Sequence, residues 1–222
     1  MPHWPVAGDD DARVRVLVVD DHQMFASSLA QALEAEDDLL VVGVATTLDG
    51  ARSQTRAAAP DVVLLDHRLP DGDGVNSITT LQQLRPSVQV VMLTATTSDR
   101  VLVAAMEAGA AGFIAKTQPL DDVLDGVRAA AQGESVVSPK LLSRLLPRLH
   151  RRSGSTTTLT DRERQILDLL AQGLPNAEIA AALSLSVHTV RNHVANLSAK
   201  LGAHSKLEVL AIAVRDGLVE GG

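Results

Sequence analysis

The 222 residues contain no cysteine and no tyrosine, and their aromatic rings amount to Trp4, Phe25 and Phe113. Without cysteine there can be no disulfide, thiolate metal site or thiol nucleophile, which fits a reducing cytosol. So few rings leave little for a base-stacking platform or an aromatic-lined pocket, which counts against a single-strand nucleic-acid binder and a small-molecule sensor. No apolar run approaches the roughly 20 residues that a membrane span requires. Residues 1–12 hold neither a basic nor an apolar segment and run through Asp9-Asp10-Asp11, so they read as a disordered tail, not a signal or transit peptide. The chain is expected to be soluble and cytoplasmic, with no membrane partner.

Positive charge is scarce overall, at a formal net −7, but it is unevenly placed. Residues 1–147 carry 11 Lys and Arg against 20 Asp and Glu, a balance of −9, whereas residues 148–222 carry 9 against 7, a balance of +2. Only the second part offers a phosphate backbone a favourable partner. The acidic part can also attract the basic one in a resting contact. Hydrophobic residues make up 45% of the chain, enough for sizeable cores built from Leu, Val, Ile and Ala.

The chain is organised around Asp20-Asp21, which ends the strand-like apolar run Val16-Leu17-Val18-Val19. Two like charges 4 Å apart repel by roughly 4 kcal/mol at an effective dielectric near 20, so a cation must stand nearby or one carboxylate must stay protonated. The pattern recurs at Val62-Val63-Leu64-Leu65-Asp66. In an open parallel sheet the ligand crevice lies outside the carboxyl ends of the strands. If these strands are neighbours, three carboxylates converge into a hard-oxygen site suited to Mg²⁺. Two further strand-like runs end in Thr94 and Lys116. Carboxylates, hydroxyl and ammonium at separate strand ends compose a phosphoryl-transfer site, with Asp66 as nucleophile and Thr94 and Lys116 on the phosphoryl oxygens.

The order DD, then D-x-x-L-P-x-x-x-G from Asp66 to Gly74, then Thr94, then F-x-x-K from Phe113 to Lys116 resembles the receiver domain of bacterial response regulators. The resemblance implies that Asp66 accepts phosphate from a sensor histidine kinase. It also implies that Asp21, Asp66 and the backbone carbonyl of Arg68 hold Mg²⁺, with Asp20 close by. Phe113 takes the place of the switch aromatic that moves when Thr94 turns toward phosphate, with a plain core phenylalanine as the competing reading. The Arg68 side chain either reaches the phosphoryl group or snorkels on the surface. His22 and His67 adjoin the acidic pocket, but a hard-oxygen site argues against either as a metal ligand. The acidic Asp71-Gly72-Asp73-Gly74 is a turn, not a calcium loop, because the alternate oxygen ligands of such a loop are missing after it.

Strands near 14–19, 40–44, 61–65, 88–93 and 112–115 alternate with helices near 24–36, 48–58, 74–84, 99–108 and 120–132. Such alternation predicts an α/β doubly wound five-stranded parallel sheet over residues 13–132, and the resemblance supplies the flavodoxin-like strand order 2-1-3-4-5. Residues 133–157 read as a linker, with a short helix over 140–146 before Pro147. Arg148, Arg151 and Arg152 there either touch DNA phosphate or form a solvated basic stretch.

Residues 158–222 read as a small all-α domain of four helices. Thr160-Asp161-Arg162-Glu163 is a capping box, Gly173 is a left-handed stop, Asn176 is expected to cap the second helix and Ser186 the third. In the third, Val187, Val190, Val194, Leu197 and Leu201 form one buried stripe. Asn192 then points away from it, His188, Ala195, Asn196 and Ala199 flank outward, and Thr189, Arg191 and His193 lie on the borders. Amide and small side chains facing outward suit a major groove, where asparagine binds adenine, in a helix-turn-helix.

The stretch LTDRERQILDLLAQGLPNAEIAAALSLSVHTVRNHVANLSAKLG resembles the LuxR-type DNA-binding domain, and both resemblances together point to the NarL/FixJ group of response regulators. That implies double-stranded DNA as a partner, with His188, Thr189, Arg191, Asn192, His193, Ala195, Asn196 and Lys200 as the contact set. It implies a homodimer on DNA through the last helix, where Ser205-Lys206-Leu207-Glu208 is a second capping box and Leu207, Leu210, Val214 and Leu218 form the stripe. Ala195 stands where some relatives place lysine. The chain is thus expected to be no enzyme, though it accepts phosphoryl on Asp66 and promotes its own dephosphorylation. In the family, phosphorylation either unmasks the recognition helix or drives dimerisation, and both remain open here. The alternative function is a DNA-binding regulator working independently of phosphorylation.

Overall fold

The structure, a computed structural model, describes residues 13–95, 98–149 and 158–219. Five parallel strands form the main sheet: β1 (Val14–Val19), β2 (Leu39–Ala45), β3 (Val62–Asp66), β6 (Gln89–Thr94) and β7 (Gly112–Ala115). Their order is β2-β1-β3-β6-β7, the doubly wound order expected. A two-stranded ribbon, β4 (Arg68–Leu69) with β5 (Gly72–Asp73), interrupts what reads in the sequence as a plain turn.

Strand alternation decides how the layers pack. Val16, Val18, Val62, Leu64, Val91, Leu93 and Ile114 point to one face, under α1 (Gln23–Glu34) and α5 (Leu120–Ala131). Leu17, Val19, Val63, Leu65, Val90, Met92 and Phe113 point to the other, under α2 (Leu48–Ala58), α3 (Ile78–Leu84) and α4 (Asp99–Glu107). Each strand is apolar on both faces, as a sheet covered by helices on both sides demands. The second cluster runs on without a break into the C-terminal helices.

Those helices are α7 (Asp161–Ala171), α8 (Asn176–Ala182), α9 (Val187–Leu201) and α10 (Lys206–Arg215). Thr160 and Glu163 make the reciprocal capping box, and Gly173 takes φ 81° just past α7. Ser186 Oγ accepts from Thr189 N. Three local expectations are corrected. Asn176 is the first residue of α8, with Pro175 before it, and its side chain makes no cap. Its Oδ1 instead accepts from Lys206 Nζ at 3.3 Å. The second capping box is half formed: Ser205 Oγ accepts from Glu208 N, but Glu208 Oε2 takes the His204 backbone N–H. Val187, the first residue of α9, leaves the buried stripe and is 37% exposed.

The described part of the segment read as a linker, residues 133–149, is largely packed. Val136 lies beside the edge strand β7, donating its N–H to Ala111 O and accepting from Phe113 N at 2.7 Å. Gly112 and Gly126 clear space for it, since a Cβ on Gly112 would overlap the Val136 carbonyl. Helix α6 (Pro139–Leu145) then buries Leu142 and Leu145, and a short 3₁₀ turn follows that includes Pro147. Arg148, read from sequence as free for DNA phosphate or solvent, pairs with Asp99 in the first turn of α4 at 2.9 Å, next to Arg144 at 3.0 Å. The expected N-terminal tail, Arg151, Arg152 and the small polar run from Ser153 lie outside the described residues. Among the described residues no helix is long and apolar enough to cross a membrane.

Replacing Gly112 with alanine should push Val136 off the sheet edge and cost about 1–3 kcal/mol, the usual penalty of overpacking. Urea unfolding measures the loss, and faster hydrogen exchange at the Phe113 and Val136 amides locates it.

Candidate functional site

Asp20 follows β1, Asp66 ends β3, Thr94 ends β6 and Lys116 follows β7, so neighbouring strands deliver all four to one edge of the sheet. Lys116 is the pivot. Its Nζ lies 2.6 Å from Asp20 Oδ2 and 2.8 Å from Asp66 Oδ2, and its side chain is only 14% exposed. The cation demanded by adjacent carboxylates is therefore supplied from about a hundred residues downstream. Burial alone would lower the Lys116 pKa, but the hydrogen bonds and charges of Asp20 and Asp66 outweigh it and hold the ammonium above its ordinary value. Lys116 N also donates to Thr94 O, which ties the two strand ends together.

Asp20 is fully buried. Its Oδ1 accepts from His22 N at 2.9 Å, and its Oδ2 is met by the Lys116 ammonium alone, at 2.6 Å. Asp21 is more open and lies 2.8 Å from His22 Nδ1. Asp20, Asp21, His22 and Asp66 each offer one ligand atom, all within 4.8 Å of one another. Three carboxylates around one point are the donor set a hard divalent cation takes, and the under-bonded Oδ2 of Asp20 fits that use. His22 joins this cluster more intimately than its sequence position suggests, while His67 lines the same cavity outside the cluster and lies 3.5 Å from Asp73.

The loop after Asp66 is anchored from an unexpected side. Asp71 Oδ1 accepts from Leu48 N and Oδ2 from Asp49 N, capping the amino end of α2 beside Thr47, whose side chain takes Gly50 N. The Leu48 hydrogen bond leads the effects that hold the Asp71 carboxyl below its usual range. Gly74 N donates to His67 O, and any side chain on Gly74 would collide with the Asp66 carbonyl. The ribbon carrying Arg68 is thus pinned at both ends. Arg68 itself is exposed on the rim of a cavity of about 310 Å³ that Asp66, Thr94 and Lys116 also line. Thr94 and Phe113 are both buried, at 6% and 8% exposure.

In the C-terminal helices, His188, Asn192, Ala195 and Asn196 are exposed on α9, with Thr189 and His193 partly so. Asn192 Nδ2 lies 3.3 Å from His188 Nε2. Two of the expected contact residues are engaged inside the chain. Arg191 donates to Gln132 Oε1 beyond α5, and Lys200 lies 2.6 Å from Glu163 Oε2 in the α7 cap. Of the expected apolar stripe on α10, Leu207, Leu210 and Val214 are buried, while Leu218 falls beyond the helix and is partly open.

Helix α10 packs on α7 and α9 and also on α4 and the 3₁₀ turn that follows α6. Ser205 Oγ donates to Ala110 O at 2.8 Å, and Lys206 Nζ reaches Glu134 Oε2 at 2.8 Å and Leu174 O at 3.3 Å. Burial drives the Lys206 pKa down against the pull of Glu134. This joint had no signal in the sequence beyond the charge asymmetry of the two parts.

Comparison with known proteins gives two matches along the chain. The family described as "Response regulator receiver domain" matches residues 16–128, and "Bacterial regulatory proteins, luxR family" matches residues 157–213. The response regulator protein VraR of Staphylococcus epidermidis is 33% identical over 207 residues, covering 93% of this chain and 99% of that one. Among solved structures, the response regulator ChrA of a heme-sensing two-component system aligns at TM-score 0.50 and 30% identity, over 94% of this chain and 100% of its own. The receiver domain of the response regulator NarL from Mycobacterium tuberculosis aligns at TM-score 0.53 and 31% identity, over 55% of this chain and 98% of its own.

Lys116→Ala should lower stability in metal-free buffer by about 3–5 kcal/mol, because it leaves buried carboxylates facing one another without their cation. Thermal unfolding measures this, and millimolar Mg²⁺ should restore part of the loss by binding the folded state.

Proposed function

Because the chain belongs to the two-component response regulators with a LuxR-type DNA-binding domain, we propose that Asp66 is its phosphoryl acceptor and that the acyl phosphate switches transcription control by the C-terminal domain. The observation that carries this reading is the bridge of Lys116 across Asp20 and Asp66 at the mouth of the sheet. An Asp66 carboxylate oxygen attacks phosphorus, an O–P bond forms, and the P–N bond to the histidine of a sensor kinase breaks with the electron pair leaving on nitrogen. Asp20, Asp21, Asp66 and the Arg68 carbonyl would hold Mg²⁺, which supplies charge neutralisation of the phosphoryl oxygens when bound. Lys116 exchanges its carboxylate partners for a phosphoryl oxygen, and the Thr94 hydroxyl donates to another. Water attack on the same phosphorus breaks the Asp66 O–P bond, returns the carboxylate and releases inorganic phosphate. The setting is the cytoplasm, where the kinase's phosphohistidine and DNA are both within reach.

Phosphorylation adds close to two negative charges and three acceptor oxygens. Thr94 sits five residues before Asp99, whose carboxylate grips Arg144 and Arg148. Movement of Thr94 and Phe113 toward the new charge therefore disturbs α4 directly. Helix α4 covers α10, the helix through which two copies would pair on DNA, whereas much of the outward face of α9 is already open. The burial of Leu207, Leu210 and Val214 favours release of α10 for dimerisation as the main step, with loss of the Arg191–Gln132 contact freeing a DNA-facing arginine alongside. Two recognition helices then reach half-sites about one turn of DNA apart. Asn192, His188, Thr189, His193, Ala195 and Asn196 present the base-reading surface, and Arg191 and Lys200 supply phosphate contacts once they leave Gln132 and Glu163.

Two substitutions test the two halves. Asp66→Asn should abolish acyl-phosphate labelling by a phosphorylated kinase; label persisting on another residue overturns the assignment. Asn192→Ala should cost about 1–3 kcal/mol against the preferred operator and flatten base preference, as read by competition gel shifts.

A further inference from the structure

The Lys116 ammonium has a third neighbour that is not a carboxylate. Its Nζ lies 5.1 Å from the centre of the Phe25 ring, in the first turn of α1. The chain has only two phenylalanines, and this one is not spent on the closed core. Phe25 is half-buried and packs only against the margin of the α1/α5 cluster. Beyond it opens an apolar groove of about 260 Å³, lined by Leu29, Ile114, Leu120 and the stem of Lys116. The ring therefore stands as a partition between that groove and the carboxylates.

We infer that Phe25 is a positioning residue for phosphoryl transfer, its ring face holding the Lys116 ammonium over Asp66 by a cation–π contact. Such a contact is strongest when the cation is withdrawn from water, and the Lys116 side chain is 14% exposed. A lysine stem has four rotatable carbons and would otherwise be fixed by its acceptors alone. Those acceptors change in the reaction: Asp66 becomes an acyl phosphate, and Asp20 and Asp66 are the groups a divalent cation would take. The quadrupole of the Phe25 ring changes in neither event. It is the partner that keeps the ammonium at the strand ends while its carboxylates are given away. The inference rests on Asp66 as acceptor, and it adds a residue with no chemical group of its own.

The test is a fluorination series at position 25 of the full chain: Phe, 4-fluoro, 3,5-difluoro and 3,4,5-trifluoro-phenylalanine, with Phe25→Trp and Phe25→Leu at the ends. Fluorine drains the ring face while scarcely altering its size. With acetyl phosphate and Mg²⁺ as probes, the labelling rate should fall stepwise by about tenfold from Phe to the trifluoro ring. Phe25→Trp should stay within about twofold and Phe25→Leu should sit at the bottom of the series. Mg²⁺ affinity by calorimetry should not weaken across the series. A flat rate across the fluorinated rings, or an Mg²⁺ affinity that falls in step with the rate, overturns the inference by making Phe25 a space-filler. A wild-type chain that takes no phosphoryl at all overturns the Asp66 reading instead. The position of the lysine is then read without it, from the ε-methylene protons of Lys116. They should lie upfield in the Phe25 ring current and return to their ordinary shift in Phe25→Leu; unshifted wild-type lines reject the contact.

Discussion

One buried ammonium makes this architecture tenable. Parallel strands that are neighbours in the sheet end in Asp20 and Asp66, and the fold brings those carboxylates together whether or not their charges agree. At an effective dielectric near 20, each such pair within 4 Å costs roughly 4 kcal/mol unless a cation intervenes. Lys116 intervenes, at 2.6 and 2.8 Å. The arrangement is a charge site held closed by its own side chain; in the proposed function a divalent cation and a phosphoryl group open it by offering the same charges better partners.

From that point the consequences run along β7. Its C-terminal end leads into Lys116, its second residue is Phe113, and its outer edge accepts Val136 through two backbone hydrogen bonds. Two residues before Val136, Glu134 holds Lys206 at the start of α10 and receives the Asn176 backbone N–H. The strand that leads into Lys116 is thus hydrogen-bonded to a segment only two residues from the contact that fixes the C-terminal helices. Separately, Asp99 at the start of α4 holds Arg144 and Arg148, which follow Val136 in the chain. The contacts along β7, Val136 and Glu134 are short and directed and end on the buried Lys206, which suits switching between two arrangements better than continuous flexing.

Much of this was legible in the sequence because period and punctuation agree there. Apolar runs ending in Asp20, Asp66 and Thr94 fixed the strands to within a residue or two, and Thr160, Gly173 and Ser186 marked helix ends by local chemistry. What escaped depends on contacts made at a distance. Asp71 looked like a turn residue, yet it caps α2, twenty-odd residues away. Asn176 looked like a cap by its neighbours alone, but the buried Lys206 claims its oxygen. Glu208 was drawn from its expected partner by the His204 backbone. The linker looked solvated because glycine, serine and proline punctuate it, and only the space cleared by Gly112 and Gly126 explains why it packs. Phe25 carried no motif; its scarcity was visible, but its place over Lys116 required the fold.

Hydrogen exchange over the full chain, with and without Mg²⁺ and beryllofluoride, tests most directly whether the charge site and the α10 joint are one mechanism. The account predicts that loading the site strips protection from residues 134–137 and from the first turns of α10, while β1 and β3 stay protected. Loading that leaves both segments as protected as before would mean that the lysine and the joint are independent features of the same fold.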